Sequence, residues 1–339
     1  AEGSVQLTGG TLNGVPFTDA FALFNVKNGV ISLNQASLTR SPYKATASGT
    51  IPLAALRDDV SDGPIHVELR LDNAGLDGLA FLTPWVEEAK GAMTGRIVVG
   101  GTVQNPQLNG AVTVRNGYAK LKGISNPLDS VNGDLIFNGN SATLESHGTM
   151  DKKGKGDKGY YDVKGKAVWE GTTPTDYSLT VGAHGLALDC DYYKGPVDGE
   201  LTVSKDGDLP LISGNMDVHD ATINIPLALV MSDSDMNAAL DITVKAGDKV
   251  RFYNSGLYDV WVTGDATFKG TVKSPYATGH FDVTRGSVRY LDTRFQIIQG
   301  RAEFKGTSCI PYINLSAMTR VGQYAVFWLR TGPADDMDR

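Results

Sequence analysis

The feature that most constrains the fold of this chain is an internal repeat. Residues 94–121 align with residues 263–290 without a gap, and nine of the 28 aligned positions are identical. Chance would give about two identities at ordinary composition. A weaker third copy contains Pro210, Gly214 and Val218. The shared pattern is a proline, then a glycine, then an alternating stretch, and finally a second glycine or alanine. Its repetition predicts an array of stacked units, each of which contacts its neighbours.

Outside the repeat, apolar and polar residues alternate in short runs that end at Gly, Asn, Asp or Pro. Phe281 and Val283, for example, share one face of a strand, whereas His280 and Asp282 share the other. Such alternation is typical of antiparallel strands with one apolar and one polar face. The 40 glycines among 339 residues suit many short strands and tight turns. The sequence therefore predicts an all-β protein, an elongated and repetitive antiparallel or mixed sheet.

One stretch departs from this alternation. In residues 76–90, the apolar residues that recur at roughly helical spacing are Leu76, Leu79, Phe81, Leu82 and Val86. This spacing predicts a short amphipathic helix that packs its apolar side on the sheet. We therefore expect two repeat segments around that helix and a C-terminal segment after them, with boundaries at 1–75, 76–90, 91–205 and 206–339.

Glycine positions predict where the chain turns. Asn-Gly pairs at 28–29, 116–117 and 132–133 suggest hairpin turns, because both turn residues need a positive φ. The repeated glycines are expected to serve as structural turn residues. They are Gly95, Gly110, Gly117, Gly264, Gly279 and Gly286.

Apolar residues that share one phase within the repeated units are expected to form a single apolar surface that lines a groove. They are Ile97, Val99, Val112, Val114, Phe268, Phe281, Val283, Val288, Tyr290 and Phe304. The same alternation also occurs in a sandwich, where two sheets seal the apolar faces between them. The sequence leaves both arrangements open.

Catalytic chemistry finds no support in the residue pattern. The five histidines are scattered singly, and the two cysteines, Cys190 and Cys309, form no metal-binding pair. His66 and Glu68 match half of a deaminase motif, but the cysteine half is missing. We therefore predict no catalytic residue, no metal site and no cofactor. The net charge of −7 and the absence of a basic stripe argue against nucleic acid as a partner.

Several stretches match a known family. Residues 76–86 and 91–110 resemble the repeat unit of the TamB family of AsmA-like bridge proteins. Residues 283–292, 295–304 and 311–317 resemble the family's C-terminal domain. TamB is the inner-membrane subunit of the translocation and assembly module.

The resemblance implies a taco-like fold, in which a long sheet curls into an open trough with an apolar interior. It implies phospholipid acyl chains as cargo between the inner and outer membranes, in support of outer-membrane biogenesis and protein assembly. It also implies an outer-membrane barrel partner of the TamA or BamA type. We expect a periplasmic location, with an N-terminal membrane helix outside this fragment, and we expect the family's final barrel-associated segment to be missing.

Two other classes of protein share parts of this pattern. A secreted β-solenoid adhesin, or a structural surface protein without lipid transport, would also be repetitive and rich in strands. Solenoids usually have short regular coils, however, whereas the units here are long and interleaved. A closed outer-membrane barrel would need girdles of aromatic residues, and aromatic residues make up only 8% of this chain. The bridge protein is the favoured interpretation.

Overall fold

The fold is almost entirely β-structure. Its description rests on a computed structural model. The described residues are 1–12, 15–56, 63–78, 83, 85–151, 158–224 and 237–336. Within them, twenty-one strands are joined by turns and by three short 3-10 segments. The predicted all-β class is confirmed.

A first compact unit comprises residues 1–122, 127–150 and 162–179. Its strands are β1 (Glu2–Leu12), β2 (Val15–Lys27), β3 (Val30–Arg40), β4 (Tyr43–Pro52), β5 (His66–Gly75), β6 (Val86–Lys90), β7 (Ala92–Gly101), β8 (Pro106–Leu121), β9 (Leu128–Gly139) and β10 (Ser141–Asp151). Each strand pairs antiparallel with the next, except that β5 pairs with β7 and β6 pairs with β8. Two further strands, β11 (Lys158–Glu170) and β12 (Thr173–Asp189), contribute residues to both units.

A second compact unit comprises residues 123–126, 151–161 and 180–339. Its strands are β13 (Tyr193–Asp206), β14 (Leu209–Val218), β15 (Thr222–Ile223), β16 (Ala239–Asn254), β17 (Tyr258–Thr271), β18 (Ser274–Tyr290), β19 (Thr293–Lys305), β20 (Tyr312–Val321) and β21 (Tyr324–Pro333). From β16 to β21 each strand pairs antiparallel with the next. β14 and β15 run parallel to β16, so the sheet of this unit is mixed.

The sequence repeat forms two equivalent hairpins, β7–β8 and β17–β18. In each hairpin a repeated glycine pairs with the repeated proline just before the turn, Gly101 with Pro106 and Gly270 with Pro275. Gly270 has φ +93°, and a Cβ there would lie 2.6 Å from the carbonyl oxygen of Ser274. A side chain would therefore clash as the chain enters the turn.

The prediction that the other repeated glycines mark turns is wrong. All six lie within strands: Gly95 in β7, Gly110 and Gly117 in β8, Gly264 in β17, and Gly279 and Gly286 in β18. The neighbouring strand explains several of them, because a Cβ at Gly279 would meet the Cα of Ala266 at 2.8 Å. These glycines permit close approach between strands in mid-sheet.

The Asn-Gly pairs behave differently from one another. Asn28 and Gly29 have φ values of +53° and +75° and form the predicted hairpin turn between β2 and β3. The pair at 116–117 lies inside β8 at a break in the register with β9, and the pair at 132–133 lies inside β9. The chain does not turn at these two pairs, because the residues before and after each pair are paired with neighbouring strands.

The predicted helix over residues 76–90 is wrong where the structure describes it. Residues 79–82 and 84 lie outside the described part of the chain, and Leu76–Gly78 form one 3-10 turn. Val86–Lys90 form strand β6, paired with the C-terminal part of β8. Strand formation prevails because β7 pairs only with the first part of β8, which leaves the rest of β8 available for β6.

Candidate functional site

The first unit has one continuous apolar face. The strand registers align apolar or glycine residues directly across nine strands, from β1 to β5 and then from β7 to β10. One such row is Leu7, Ala20, Leu38, Ala45, Leu71, Gly95, Val112, Leu135 and Leu144. The adjacent row is Val5, Ala22, Ala36, Ala47, Leu69, Ile97, Gly110, Phe137 and Ala142.

No residue of these two rows is fully buried. Leu7 is 52% exposed and Val5 is 45% exposed, and the other members are half-buried. In a sealed sandwich, side chains at such positions would be covered by a second sheet. In the first unit the apolar face is therefore open to solvent.

The open face forms a groove at the N-terminal strands. Its volume is about 360 Å³, and side chains from β1 to β5 line it. Alanines at positions 20, 22, 36, 45 and 47 form much of its floor, whereas Leu7 and Leu69 lie on either side. The alanine side chains are short, so they leave room above the floor for an apolar chain.

The opposite face of the same strands is polar. The Glu68 carboxylate accepts hydrogen bonds from Arg96 (2.6 Å) and Arg70 (2.5 Å). These bonds, the one from Arg96 first, lower the pKa of Glu68 to about 2. The hydroxyls of Thr94 and Thr113 are hydrogen-bonded at 2.9 Å. The sheet of the first unit is therefore amphipathic, with its ionic groups on the face away from the groove.

The second unit carries an apolar face of the same kind, but it is more deeply buried. One row of cross-strand partners is Val197, Val218, Ala246, Gly264, Phe281, Ala302 and Ile313. Val250 is fully buried and Val262 is 6% exposed. The Phe281 and Phe304 rings meet edge to face with centroids 6.0 Å apart, and Phe268 is as close to Phe304. Aromatic packing fills this face from within the unit.

The predicted groove residues differ in burial. Those of the first unit belong to its half-buried apolar face: Ile97, Val99, Val112 and Val114. In the second unit, Phe268, Phe281, Val283 and Phe304 are half-buried. Val288 is buried in a cluster with Phe295, Leu315 and Ala317. Tyr290 is 39% exposed and stacks on Trp328 at 5.1 Å. Contact of these residues with lipid stays a prediction.

Sequence reasoning missed the alanine floor of the groove. The residues concerned are Ala20 and Ala22 in β2, Ala36 in β3, and Ala45 and Ala47 in β4. Within β2 and within β4 these alanines are two residues apart, as the larger apolar residues are in other strands. Alanine is a weak hydrophobic signal in a sequence because its side chain has little apolar area.

Two kinds of feature are absent from the described residues. No group of three or more His, Cys, Asp or Glu side chains there is arranged to hold a metal ion. No helix in the described ranges is both long enough and apolar enough to cross a membrane.

Comparison with known proteins shows which family this chain resembles. Residues 227–338 match the TamB C-terminal domain. Protein TIC236, chloroplastic, of Arabidopsis thaliana is 23% identical over 172 residues, which is 48% of this chain and 8% of that protein. The chain thus spans only a small part of the length of that relative.

Proposed function

We propose that this chain is a periplasmic segment of a TamB-type bridge protein whose apolar face carries phospholipid acyl chains between the inner and outer membranes. The observation that carries the proposal is the pair of half-exposed apolar rows across nine strands of the first unit. Water contact over so large an apolar surface is unfavourable, so the surface needs an apolar occupant.

An acyl chain suits this surface better than a polar ligand does. The rows contain methyl, methylene and aromatic groups and no charged side chain, whereas the ionic groups lie on the other face. Binding of a small polar molecule depends on a few placed hydrogen-bonding groups. A flexible hydrocarbon requires only continuous apolar contact, which the two rows supply.

The family match supports the wider assignment. A TamB C-terminal domain in residues 227–338 favours an envelope bridge that is anchored in the inner membrane. It also favours work with an outer-membrane barrel of the TamA or BamA type in outer-membrane biogenesis. The antiparallel pairing throughout the first unit fits poorly with a β-solenoid adhesin, whose successive coils pair in parallel.

The test is site-specific photo-crosslinking in cells. A photoreactive residue at Ile97 lies on the open apolar face, directly across from Leu69, and one at Val98, its neighbour in β7, lies on the polar face. Phe281 and Asp282 form a matched pair in β18 of the second unit. We expect phospholipid adducts, identified by mass spectrometry, at Ile97 and few at Val98. Equal capture at Ile97 and Val98, or capture at neither, would contradict the proposal.

A further inference from the structure

The polar face of the second unit contains a cluster of arginines that the proposed lipid groove does not use. The cluster consists of Arg251 in β16, Arg285 and Arg289 in β18, and Arg294 in β19. Three of these four, Arg251, Arg289 and Arg294, line a surface pocket of about 260 Å³ together with Tyr253, Asp259 and Ser287. So much positive charge in one place contrasts with the net charge of −7 for the whole chain.

Strand register produces the cluster. Arg251 pairs across to Trp261, and Trp261 pairs across to Arg285, so these three form one row on the polar face. Arg289 and Arg294 are direct cross-strand partners near the β18–β19 turn. Like charges placed directly opposite each other destabilise a sheet. An anion between them would remove that repulsion.

Aromatic rings and an ion pair hold one side of the pocket rigid. The Arg251 guanidinium donates two hydrogen bonds to the Asp259 carboxylate, at 2.7 and 2.9 Å. It lies 4.5 Å from the centre of the Tyr253 ring, and Arg285 lies 4.3 Å from the centre of the Trp261 ring. These contacts fix Arg251 and neutralise much of its charge.

The other side of the pocket keeps its positive charge. Arg294 Nε donates a hydrogen bond of 2.8 Å to the hydroxyl of Ser287, which is only 4% exposed. This bond orients Arg294, whose charge is only partly offset by the Asp259 carboxylate that also lines the pocket. Among the described residues, no carboxylate forms an ion pair with Arg285, Arg289 or Arg294. Two cations therefore face the pocket from adjacent strands with hydrogen-bond donors to spare.

We propose that this pocket binds a phosphate group, with Arg289 and Arg294 as its ligands and the Arg251–Asp259 pair as the rigid wall. Guanidinium groups bind phosphate oxygens through paired N–H donors, and two of them on adjacent strands suit a tetrahedral oxyanion. The site lies on the polar face of the second unit, opposite the apolar face of that unit that contains Phe281. It is therefore separate from acyl-chain binding. The phosphate belongs either to a lipid headgroup at a membrane surface or to a soluble phosphate ester.

The experiment uses the purified 339-residue chain and two probes. Calorimetric titration with glycerol phosphate tests the soluble ester, and sedimentation with vesicles of phosphatidylcholine, with and without phosphatidylglycerol, tests the headgroup. Replacement of both ligands, Arg289→Gln with Arg294→Gln, should weaken binding at least about tenfold, because two charge-assisted hydrogen-bonding groups are lost. Arg301→Gln removes the same kind of charge from β19 outside the pocket and is the matched control.

Each outcome decides the proposal. Binding of either probe by the unmodified chain, lost in the double variant and kept in Arg301→Gln, supports the site. A response to phosphatidylglycerol vesicles alone assigns the phosphate to a lipid headgroup, and a response to glycerol phosphate assigns it to a soluble ester. An absence of binding, or equal loss in Arg301→Gln, overturns the proposal. If the double variant melts early, Arg289→Gln alone serves, since Arg289 is exposed.

Discussion

Leu69 of β5 and Ile97 of β7 are direct cross-strand partners on the apolar face of the first unit, and neither side chain is buried. In the second unit, Val250 and Val262 form the equivalent kind of pair across β16 and β17, but Val250 has no exposed surface at all. The same strand alternation thus yields an open apolar surface in the first unit and a buried valine pair in the second.

This difference predicts opposite responses to an introduced charge. In Leu69→Asp the carboxylate reaches solvent, so the protein should stay folded while the apolar path for acyl chains is interrupted. In Val250→Asp an unpaired carboxylate would be buried, which should cost several kcal/mol and unfold the surrounding strands. Circular dichroism melting and the phospholipid content of the purified protein measure the two effects. Unfolding of Leu69→Asp would show that the first unit is sealed.

Gly286 provides a test of close strand packing. Its φ is +145°, and a Cβ there would lie 2.6 Å from the Cα of Val260 in the neighbouring strand. Gly286→Ala should therefore destabilise the protein by about 1–3 kcal/mol, visible as a lower melting temperature. The control is Gly256→Ala, where the nearest atom to a Cβ is the Asn254 Oδ1 at 3.7 Å. Equal melting temperatures for the two variants would contradict this explanation.

Alternation in the sequence predicts which face a strand residue takes wherever the strand register is regular. Phe281 and Asp282 lie on opposite faces as expected, since Asp282 binds Arg301 on the polar side. Alternation has the same period in a strand that is covered and in one that is not, so it could not distinguish the open first unit from the buried second unit. The repeated glycines predicted turns, but Gly279 lies within a strand, where the close approach of the neighbouring strand requires glycine.

The arginine pocket was invisible in the sequence for another reason. Arg251, Arg289 and Arg294 come from three different strands, and the nearest of them in sequence still belong to separate strands. Only the register of β16 to β19 brings them together. No local sequence motif indicates this register.

The Arg251–Asp259 pair predicts a specific dependence of stability on pH. Hydrogen bonds from Arg251 lower the pKa of the Asp259 carboxyl in the folded protein. A carboxyl with a lowered folded pKa stabilises the protein at pH values above its ordinary pKa of about 3.9, and this stabilisation is lost as the pH falls through the lowered value. The difference in melting temperature between the unmodified chain and Asp259→Asn should be constant above about pH 5 and shrink below about pH 4.

The control for this prediction is Asp176→Asn, because Asp176 is exposed in β12 and forms no ion pair among the described residues. Its melting temperature should follow that of the unmodified chain across the same pH range. A difference for Asp259→Asn that stays constant down to pH values well below about 4 would show that the ion pair does not contribute through its charge.

The alanine floor of the first unit allows the groove to be filled without adding charge. Ala47 of β4 lies between Ala36 and Leu69 in its row, within the groove of about 360 Å³. A phenyl ring at position 47 would project into this open space. Ala47→Phe should therefore leave the melting temperature nearly unchanged, whereas the same substitution in a packed core would cost about 1–3 kcal/mol. The ring should displace acyl chains and lower the amount of phospholipid that copurifies with the protein.

Ser48→Phe adds the same ring to the polar face of β4 opposite Glu68 and should keep the lipid content of the unmodified chain. Loss of lipid in Ala47→Phe alone places the acyl chains over the alanine floor, and equal lipid content in both variants places them elsewhere.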